Sequence, residues 1–272
     1  MKIIRQKKDL NRLLSKINSF SFVPTMGGLH KGHEFLIKKA RKKNKNVLVS
    51  IFVNPKQFNS KNDFNSYPRN FKNDVQILKK LKVKYLFYPN YNDVFLFKTK
   101  NKIFLHPFSK KLCGKYRPGH FRGVLDVVNR LLEILKPKYM ILGEKDFQQL
   151  ILIKKHIQKN KIKTLVISCN TIRDQYSLPY SSRNFNLNKE ERKLASKVFM
   201  LLKKEKNKIK RQKPKKINLL NVKKKVLNIG IKKVDYIDLI NLNNLNKVKK
   251  FSEKFNIFSA FYVGKVRLID NF

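Results

Sequence analysis

Short apolar runs alternate with amphipathic stretches along the first two-thirds of the chain. Five of these runs lack a strict alternation of apolar and polar positions, which is typical of strands covered on both faces. They are Phe20–Thr25, Val47–Val53, Tyr85–Tyr88, Tyr139–Leu142 and Thr164–Ser168. The pattern therefore predicts a buried parallel sheet whose strands are separated by helices.

Two of the intervening stretches have clear helical patterns. Between residues 121 and 136, apolar residues recur at the i, i+3, i+4, i+7 spacing of one helix face, and Pro137 ends the pattern. A second helix is predicted to begin at Asp146, a residue type that caps helix N-termini, with an apolar face that starts at Leu150. Strand–helix–strand alternation with right-handed crossovers predicts a doubly wound α/β domain over residues 1–175.

The character of the chain changes after about residue 175. Asn188 is predicted to cap a long Lys-rich helix from Lys189 to about Lys210, which Pro214 then ends. Three weaker apolar runs predict strands at Val234–Ile240, Ile257–Val263 and Val266–Ile269. We therefore expect a smaller α+β domain over residues 176–272.

The chain is strongly basic. Its 272 residues include 64 Lys and Arg against 17 Asp and Glu, a formal net charge of +47. A charge of this size suggests a nucleic-acid partner, but the basic residues are mostly Lys, which an AT-rich genome favours together with Asn, Ile and Phe. The lysines are also scattered and lack the interleaved aromatic residues that stack on bases. We expect no specific nucleic-acid partner, and a basic RNA-binding protein remains the alternative.

The rest of the composition predicts a folded protein of the cytoplasm. The 21 Phe and 10 Tyr residues indicate a buried core, while Cys113 and Cys169 are too few for a disulfide scaffold. No run approaches the roughly 20 apolar residues of a membrane helix, and residues 1–14 lack the apolar region of a signal peptide. We therefore expect no membrane partner, and no spacing of His and Cys resembles a zinc site.

A glycine-rich segment with two histidines follows the first buried strand. It reads Pro24-Thr-Met-Gly-Gly-Leu-His-Lys-Gly-His33, and it places His30 and His33 where a helix is predicted to start. A helix N-terminus offers unpaired N–H groups to a phosphate, and two imidazoles beside it can donate to phosphate oxygens. The alternative is a pair of surface histidines next to a glycine turn.

Two further segments lie where ligands bind in an open parallel sheet. After the second strand, Asn54 and Gln57 are expected at the ligand edge, where their amides can orient a small polar substrate. An ordinary turn closed by Asn-Pro is the alternative. The segment 117–123, Arg-Pro-Gly-His-Phe-Arg-Gly, leads into a predicted helix and suits anions, or else is a plain capped loop.

The last two segments carry cations and hydroxyl groups. Lys145 follows the strand at Tyr139–Leu142, where a point positive charge can meet phosphate, and Gln149 lies one helical turn further on. The run Ser181-Ser-Arg-Asn184 combines two hydroxyls with a guanidinium at the predicted domain junction, where a loop can close over a substrate. A Ser-rich linker is the alternative. None of the five segments pairs a covalent nucleophile with a base.

These five segments, in this order and spacing, resemble the pantothenate synthetase (pantoate–β-alanine ligase) family. The resemblance runs from Phe22 to Asp270 and includes Tyr67-Pro-Arg69 and Val234-Asp-Tyr236. The family belongs to the nucleotidyltransferase superfamily with a His-x-Gly-His signature. The resemblance therefore implies a Rossmann-like doubly wound sheet, a mobile C-terminal lid domain and a homodimer.

The resemblance also implies a reaction and a set of site residues. Pantoate and ATP are expected to give pantoyl adenylate and pyrophosphate, after which β-alanine displaces AMP, with Mg²⁺ accompanying ATP. Catalytic contacts to the ATP phosphates are expected from His30, His33, Lys145, Ser181, Ser182 and Arg183. Further ATP contacts are expected at Met26, Gly143 and Asp146. Pantoate is expected to be held by Gln57 and Gln149, with Asn54 shaping its pocket.

A few positions depart from the family pattern. Tyr180 stands where the family usually has a Met that packs near the adenine, and Lys31 stands where an acidic residue is common. Asn73 precedes Asp74 where many members have two acidic residues, which bears on metal binding there. The alternative within the same superfamily is another adenylyl- or cytidylyltransferase, against which Gln57 and Gln149 argue because they suit an acceptor without a phosphate.

Overall fold

The computed structural model describes residues 1–212, 218–248 and 254–272. The chain divides into two compact units. The first unit comprises Met1–Ser109 and Arg117–Ile172, and the second comprises Lys110–Tyr116 and Arg173–Phe272. The short segment 110–116 therefore belongs with the C-terminal part of the chain.

Six parallel strands form the sheet of the first unit. They are β1 (Lys2–Ile4), β2 (Ser21–Thr25), β3 (Val47–Ile51), β4 (Tyr85–Phe87), β5 (Tyr139–Gly143) and β6 (Leu165–Cys169). Their spatial order is β1-β4-β3-β2-β5-β6, so the chain moves outward from β2 to β4 and then returns to β5 on the other side of β2. The ends of β2 and β5 thus flank the point where the strand order reverses, which is where open α/β sheets bind ligands.

Both units contain helices. In chain order they are α1 (Lys7–Leu14), α2 (Lys31–Lys43), α3 (Lys61–Asn65), α4 (Phe71–Lys80), α5 (Tyr91–Phe95), α6 (Cys113–Tyr116), α7 (His120–Leu135), α8 (Phe147–Lys159), α9 (Lys189–Gln212) and α10 (Leu219–Asn228). Single 3₁₀ turns lie at Pro55–Gln57, Pro107–Lys110, Glu144–Asp146 and Ser182–Asn186. All helices except α6, α9 and α10 belong to the first unit.

The predicted doubly wound α/β class is confirmed, together with five of the six strands of the sheet. The apolar stripe predicted over residues 121–136 is α7, and its residues Val124, Val128 and Leu131 are buried. The sequence pattern does not indicate β1, because this strand has only three residues and the first of them is the charged Lys2. It pairs with β4 at the edge of the sheet.

The second unit contains a three-stranded antiparallel sheet. Its strands are β7 (Lys233–Asn241), β8 (Phe255–Val263) and β9 (Val266–Asn271), in the order β7-β8-β9. Helices α9 and α10 pack on this sheet and bury Phe199, Leu202 and Val226 against Ile257 and Phe261. The predicted smaller α+β architecture and its three strands are confirmed.

Helix α9 begins where the sequence predicts. The Asn188 side chain accepts from the N–H of Glu191, and the Glu191 carboxylate accepts from the N–H of Asn188, which together form a capping box. The predicted helix breaker, Pro214, lies outside the described residues. In the part of the chain that the structure describes, no helix has the length and apolar character needed to cross a membrane.

Candidate active site

A tight turn follows β2 and leads into α2. Thr25 Oγ1 donates to the carbonyl of Ser50 on β3 at 2.7 Å and accepts from the N–H of Gly27 at 3.2 Å. Gly27 and Gly28 have φ values of +80° and +62°, in the left-handed region that favours glycine. A Cβ at Gly27 would also lie 3.0 Å from the Asp74 carboxylate. The two glycines therefore allow the chain to reverse close to the end of the sheet.

The carboxylate of Asp74 holds this turn from α4. Its two oxygens accept from the N–H groups of Gly28, at 2.9 Å, and of Leu29, at 2.8 Å. Asp74 is only 1% exposed, and burial raises the pKa of its carboxyl group while the two backbone hydrogen bonds oppose that rise. The sequence connects Asp74 only with metal binding. Its backbone partners are 45 and 46 residues away, and no local pattern points to them.

His30 and His33 lie together at the N-terminus of α2. His30 takes the N-cap position, and its Nδ1 accepts from the N–H of Gly32 at 3.1 Å, which leaves Nε2 as the protonated nitrogen of the neutral ring. The two ring centroids are 4.0 Å apart. Within the described residues, the buried Nδ1 of His33 has no hydrogen-bond partner. Both imidazoles therefore sit where the helix presents its unpaired N–H groups.

Lys145 lies at the carboxyl end of β5, across the reversal point from the β2 turn. Its Nζ is 3.3 Å from Asp146 Oδ1, and its charge acts on both histidines. Burial lowers the pKa of His30 to about 2, aided by His33 and Lys145. Burial likewise lowers the pKa of His33 to about 4, with Asp146 opposing and Lys145 aiding the shift. The site thus combines the Lys145 ammonium group with two neutral imidazoles at pH 7.

Acidification is expected to destabilise the protein through these histidines. The folded chain keeps both rings neutral, whereas the unfolded chain binds protons near the ordinary pKa of 6.5. The contribution of the two neutral histidines to the free energy of unfolding is therefore fully present above pH 6.5. It is lost as the pH falls towards the pKa of His33 in the folded chain, about 4. The loss per histidine is at most about 1.4 kcal/mol for each pH unit.

This prediction is checked by thermal unfolding of the wild type and of His33→Gln in buffers between about pH 7.5 and pH 4.5. The unfolding midpoint of the wild type should fall through this range, and that of the variant should fall less. Equal slopes for the two proteins would contradict the neutral state of His33.

Asp146 has the predicted position at the start of α8 but not the hydrogen bond of a capping side chain. It occupies the N-cap position of α8, but its side chain makes no capping hydrogen bond. The carboxylate instead lies beside the Lys145 ammonium group. Gly143, the last residue of β5, and Asp146 thus frame Lys145 at the end of the strand.

Gln57 and Met26 meet at the ends of β3 and β2. Gln57 Nε2 donates to the sulfur of Met26 at 2.9 Å, and Gln57 Oε1 accepts from Asn54 Nδ2 at 3.2 Å. Asn54 is buried, and the same amide group donates to the carbonyl of Gly123 at 3.1 Å. The predicted pantoate residues Asn54 and Gln57 are therefore parts of one hydrogen-bonded turn.

Gln149 lies on the first turn of α8 and is partly buried. The preceding residue, Gln148, points into the protein, where its Nε2 donates to the carbonyl of Phe108 at 2.7 Å. The two neighbouring glutamines thus differ in their surroundings: the amide of the buried Gln148 is bound to a backbone carbonyl, whereas Gln149 is only partly buried.

A cavity of about 350 Å³ opens beside Met26 and Gly27 in the first unit. Residues that follow β2, β3 and β4 line it, many of them aromatic, and Arg69, Asn70 and Asn90 supply polar groups. A volume of this size is at the lower end of the range for small-molecule sites. The strand ends therefore leave room for a small organic molecule next to the β2 turn.

Ser181, Ser182 and Arg183 lie in the second unit, at the 3₁₀ turn that precedes α9. Ser181 Oγ accepts from the N–H of Arg183 at 3.3 Å, and Ser182 is buried. Asn184 donates to the carbonyl of Pro179 at 2.9 Å. The turn is thus held by its own side chains.

No group of three or more His, Cys, Asp or Glu side chains suited to a metal ion occurs in residues 1–212, 218–248 and 254–272. The carboxylate nearest the β2 turn, Asp74, accepts two backbone N–H groups. The arrangement around β2 and β5 instead offers hydrogen-bond donors and the Lys145 ammonium group, which are groups that stabilise phosphate oxygens.

Known proteins resemble the chain over its whole length. Residues 2–272 match the sequence model of a family described as pantoate–β-alanine ligase. The chain is 42% identical over 274 residues to the pantothenate synthetase of Francisella tularensis subsp. novicida, a match that covers 99% of this chain and 95% of that relative.

Two solved structures are similar in fold as well as in sequence. The pantoate–β-alanine ligase of Francisella tularensis, complexed with β-γ ATP and β-alanine, has a TM-score of 0.85 and 40% identity, covering 100% of this chain and 97% of that one. The pantothenate synthetase of Thermus thermophilus has a TM-score of 0.92 and 30% identity, covering 100% and 99%. Both similarities extend through the two units.

Proposed function

We propose that this chain, a member of the pantoate–β-alanine ligase family, reacts through a pantoyl adenylate. It condenses pantoate with β-alanine and uses ATP in the reaction. A carboxylate oxygen of pantoate attacks the α-phosphorus of ATP, the new P–O bond forms and pyrophosphate leaves. The amine of β-alanine then attacks the acyl carbon, the C–N bond forms and AMP leaves, while the amine loses a proton. The observation that carries this proposal is the meeting of His30, His33 and Lys145 where the strand order reverses.

The first step brings a carboxylate to an anionic phosphate, so positioning and charge stabilisation have to supply the rate. Lys145 offers a full positive charge to the phosphates. His30 and His33 can each donate one hydrogen bond to a phosphate oxygen and, being neutral, they do not repel the Lys145 charge. We assign Ser181, Ser182 and Arg183 to the phosphates as well, by analogy with the family. Their hydroxyl and guanidinium groups are suited to phosphate oxygens.

The remaining predicted residues are assigned to the organic parts of the substrates. Gln57 and Gln149 are proposed to bind the hydroxyl groups and carboxylate of pantoate, and Asn54 holds Gln57 in place. The backbone at Met26 and Gly143 and the side chain of Asp146 are proposed to contact the nucleotide. Amides suit this acceptor because pantoate carries no phosphate.

The metal ion is proposed to enter as part of the substrate. Mg²⁺ bound to the β- and γ-phosphates neutralises charge on the leaving pyrophosphate, as in other reactions of nucleotides.

For the second step, β-alanine has to react as the free amine, and the mixed anhydride has to be shielded from water. We further propose, by family analogy, that the protein is a homodimer of the cytoplasm. Sedimentation of the purified protein tests the dimer.

Labelled pantoate tests the adenylate route. With ¹⁸O in its carboxylate, ATP, Mg²⁺ and β-alanine, one label should appear in the phosphate of AMP, because the acyl C–O bond breaks in the second step. Pyrophosphate release should require pantoate, and multiple-turnover AMP release should also require β-alanine. Label in inorganic phosphate together with ADP would contradict the adenylate, and no pantoate-dependent product at all would contradict the ligase.

A further inference from the structure

Two polar residues of the segment 117–123, Arg117 and His120, contact the turn that carries Gln57. The sequence predicts that this segment suits an anion, yet the side chains of Arg117 and His120 contact the backbone of the Asn54–Gln57 turn. We propose that His120 is a positioning residue for pantoate, which acts by holding Gln57 in its binding orientation. The inference rests on the proposed role of Gln57 as a pantoate ligand.

Hydrogen bonding settles which nitrogen of the His120 ring carries the proton. His120 Nδ1 lies 2.7 Å from the carbonyl oxygen of Gln57, and because a carbonyl oxygen only accepts, Nδ1 donates. His120 Nε2 lies 3.2 Å from Arg117 Nη1, and because a guanidinium only donates, Nε2 accepts. His120 is therefore a neutral imidazole with both nitrogens used. Its ring is buried, which restricts any other orientation.

Arg117 supports the same carbonyl group. Its Nη2 donates to the Gln57 oxygen at 3.2 Å, and its Nε donates to Asn59 Oδ1 at 3.2 Å. The carboxylate of Asp63 lies 3.8 Å from Nη2. The Arg117 guanidinium thus contacts protein groups around Gln57.

The first turns of α7 also approach the Asn54–Gln57 turn closely. A Cβ on Gly123 would lie 2.2 Å from the carbonyl oxygen of Lys56 and 2.9 Å from the N–H nitrogen of Gln57. Only glycine permits this backbone contact. On the next helical turn, Asp126 Oδ2 lies 3.5 Å from Lys56 Nζ. The turn is therefore fixed from α7 by contacts to its backbone and its side chains.

Fixing the backbone of Gln57 also fixes its side-chain amide. The amide nitrogen faces the Met26 sulfur and the amide oxygen faces Asn54, so a shift of the main chain would move both groups. A substrate held by an amide loses affinity when that amide is misplaced by a fraction of an ångström. His120 thus influences pantoate through Gln57, without requiring contact with the substrate.

Two variants of similar size isolate the hydrogen bond. His120→Leu removes the donor, whereas His120→Asn keeps an N–H donor at nearly the position of the imidazole Nδ1. We expect His120→Leu to raise KM for pantoate about tenfold, the equivalent of one hydrogen bond, with KM for ATP and for β-alanine within about twofold of wild type. We expect His120→Asn to restore KM for pantoate to within about threefold.

Two further variants separate this inference from its premises. Thr164→Ala removes another buried hydrogen bond to a backbone carbonyl, that of Pro137 at 2.7 Å, at the opposite end of the sheet, and should leave KM for pantoate unchanged. Gln57→Ala should raise KM for pantoate if the proposed pantoate site is correct. Arg117→Gln weakens the second donor to the Gln57 carbonyl and replaces His120→Leu if that variant does not fold.

Each result bears on the proposal. A pantoate effect in Gln57→Ala without one in His120→Leu or Arg117→Gln would overturn the positioning role while leaving the ligase intact. An equal defect in His120→Leu and His120→Asn would also overturn it, because the donor would then be irrelevant. A silent Gln57→Ala would remove the premise and the inference together, whereas a wild type that is inactive with pantoate would refute the proposed function itself.

Discussion

Replacing Lys145 by alanine is expected to lower kcat by about three orders of magnitude, with little change in thermal stability. Lys145 carries a full positive charge that acts on His30 and His33 at the end of β5. Removing a single preorganised donor from a site of developing charge typically costs about 10²–10³ in rate, and a lost ammonium group lies at the upper end of that range. The largest effect should fall on pyrophosphate release, because adenylation brings two anions together.

The measurement is single-turnover formation of pyrophosphate, with thermal unfolding as the test for folding. Lys155→Ala is the matched control, because Lys155 is an exposed lysine on α8 and its loss changes the net charge equally. The control should retain activity within about twofold, as is usual for surface substitutions. Near-normal turnover of Lys145→Ala would exclude the proposed phosphate contact.

Replacing Asp74 by alanine is expected to lower the free energy of unfolding by about 2–6 kcal/mol. The change leaves the buried N–H groups of Gly28 and Leu29 without their acceptor, and each such group costs about 1–3 kcal/mol. Because this turn leads directly to His30, we expect kcat to fall as well. Asp74→Asn should lie between the variant and the wild type, since an amide keeps one oxygen acceptor but turns an NH₂ group towards the second N–H.

Denaturant-induced unfolding of the three proteins tests this order. Asp9→Ala is the control, since Asp9 is a half-exposed acid on α1 paired with Arg12 at 3.9 Å, and its loss should change stability by less than about 0.5 kcal/mol. If Asp74→Ala were as stable as Asp9→Ala, the turn would not depend on the carboxylate.

Much of the fold follows from the local pattern. A strand covered on both faces has to be apolar at nearly every position, and β2, β3 and β5 are legible for that reason. Asn188 and Glu191 likewise announce the start of α9 within four residues of sequence. β1 is too short to carry such a signal, so its place at the sheet edge depends on pairing with β4.

Only part of the candidate site can be predicted from the local sequence pattern. Segments that follow parallel strands are bound to gather at one edge of a sheet, so His30, Gln57 and Lys145 could be chosen by position. Asp74 could not, because its role lies in two backbone contacts distant in sequence. The sequence identifies His120 as a polar residue at a helix start, but the carbonyl that it contacts, that of Gln57, lies 63 residues away.

The amino-acid pattern alone predicts the doubly wound sheet, the smaller α+β unit and a set of residues suited to phosphate. These properties reside in residue type and periodicity, which neighbouring positions express together. Contacts that form only in the folded chain keep His30 and His33 neutral, let Asp74 secure the glycine turn and place Arg117 and His120 against the Gln57 backbone. Burial, electrostatic fields and hydrogen bonds act through space, and the chain brings those partners together only when it folds.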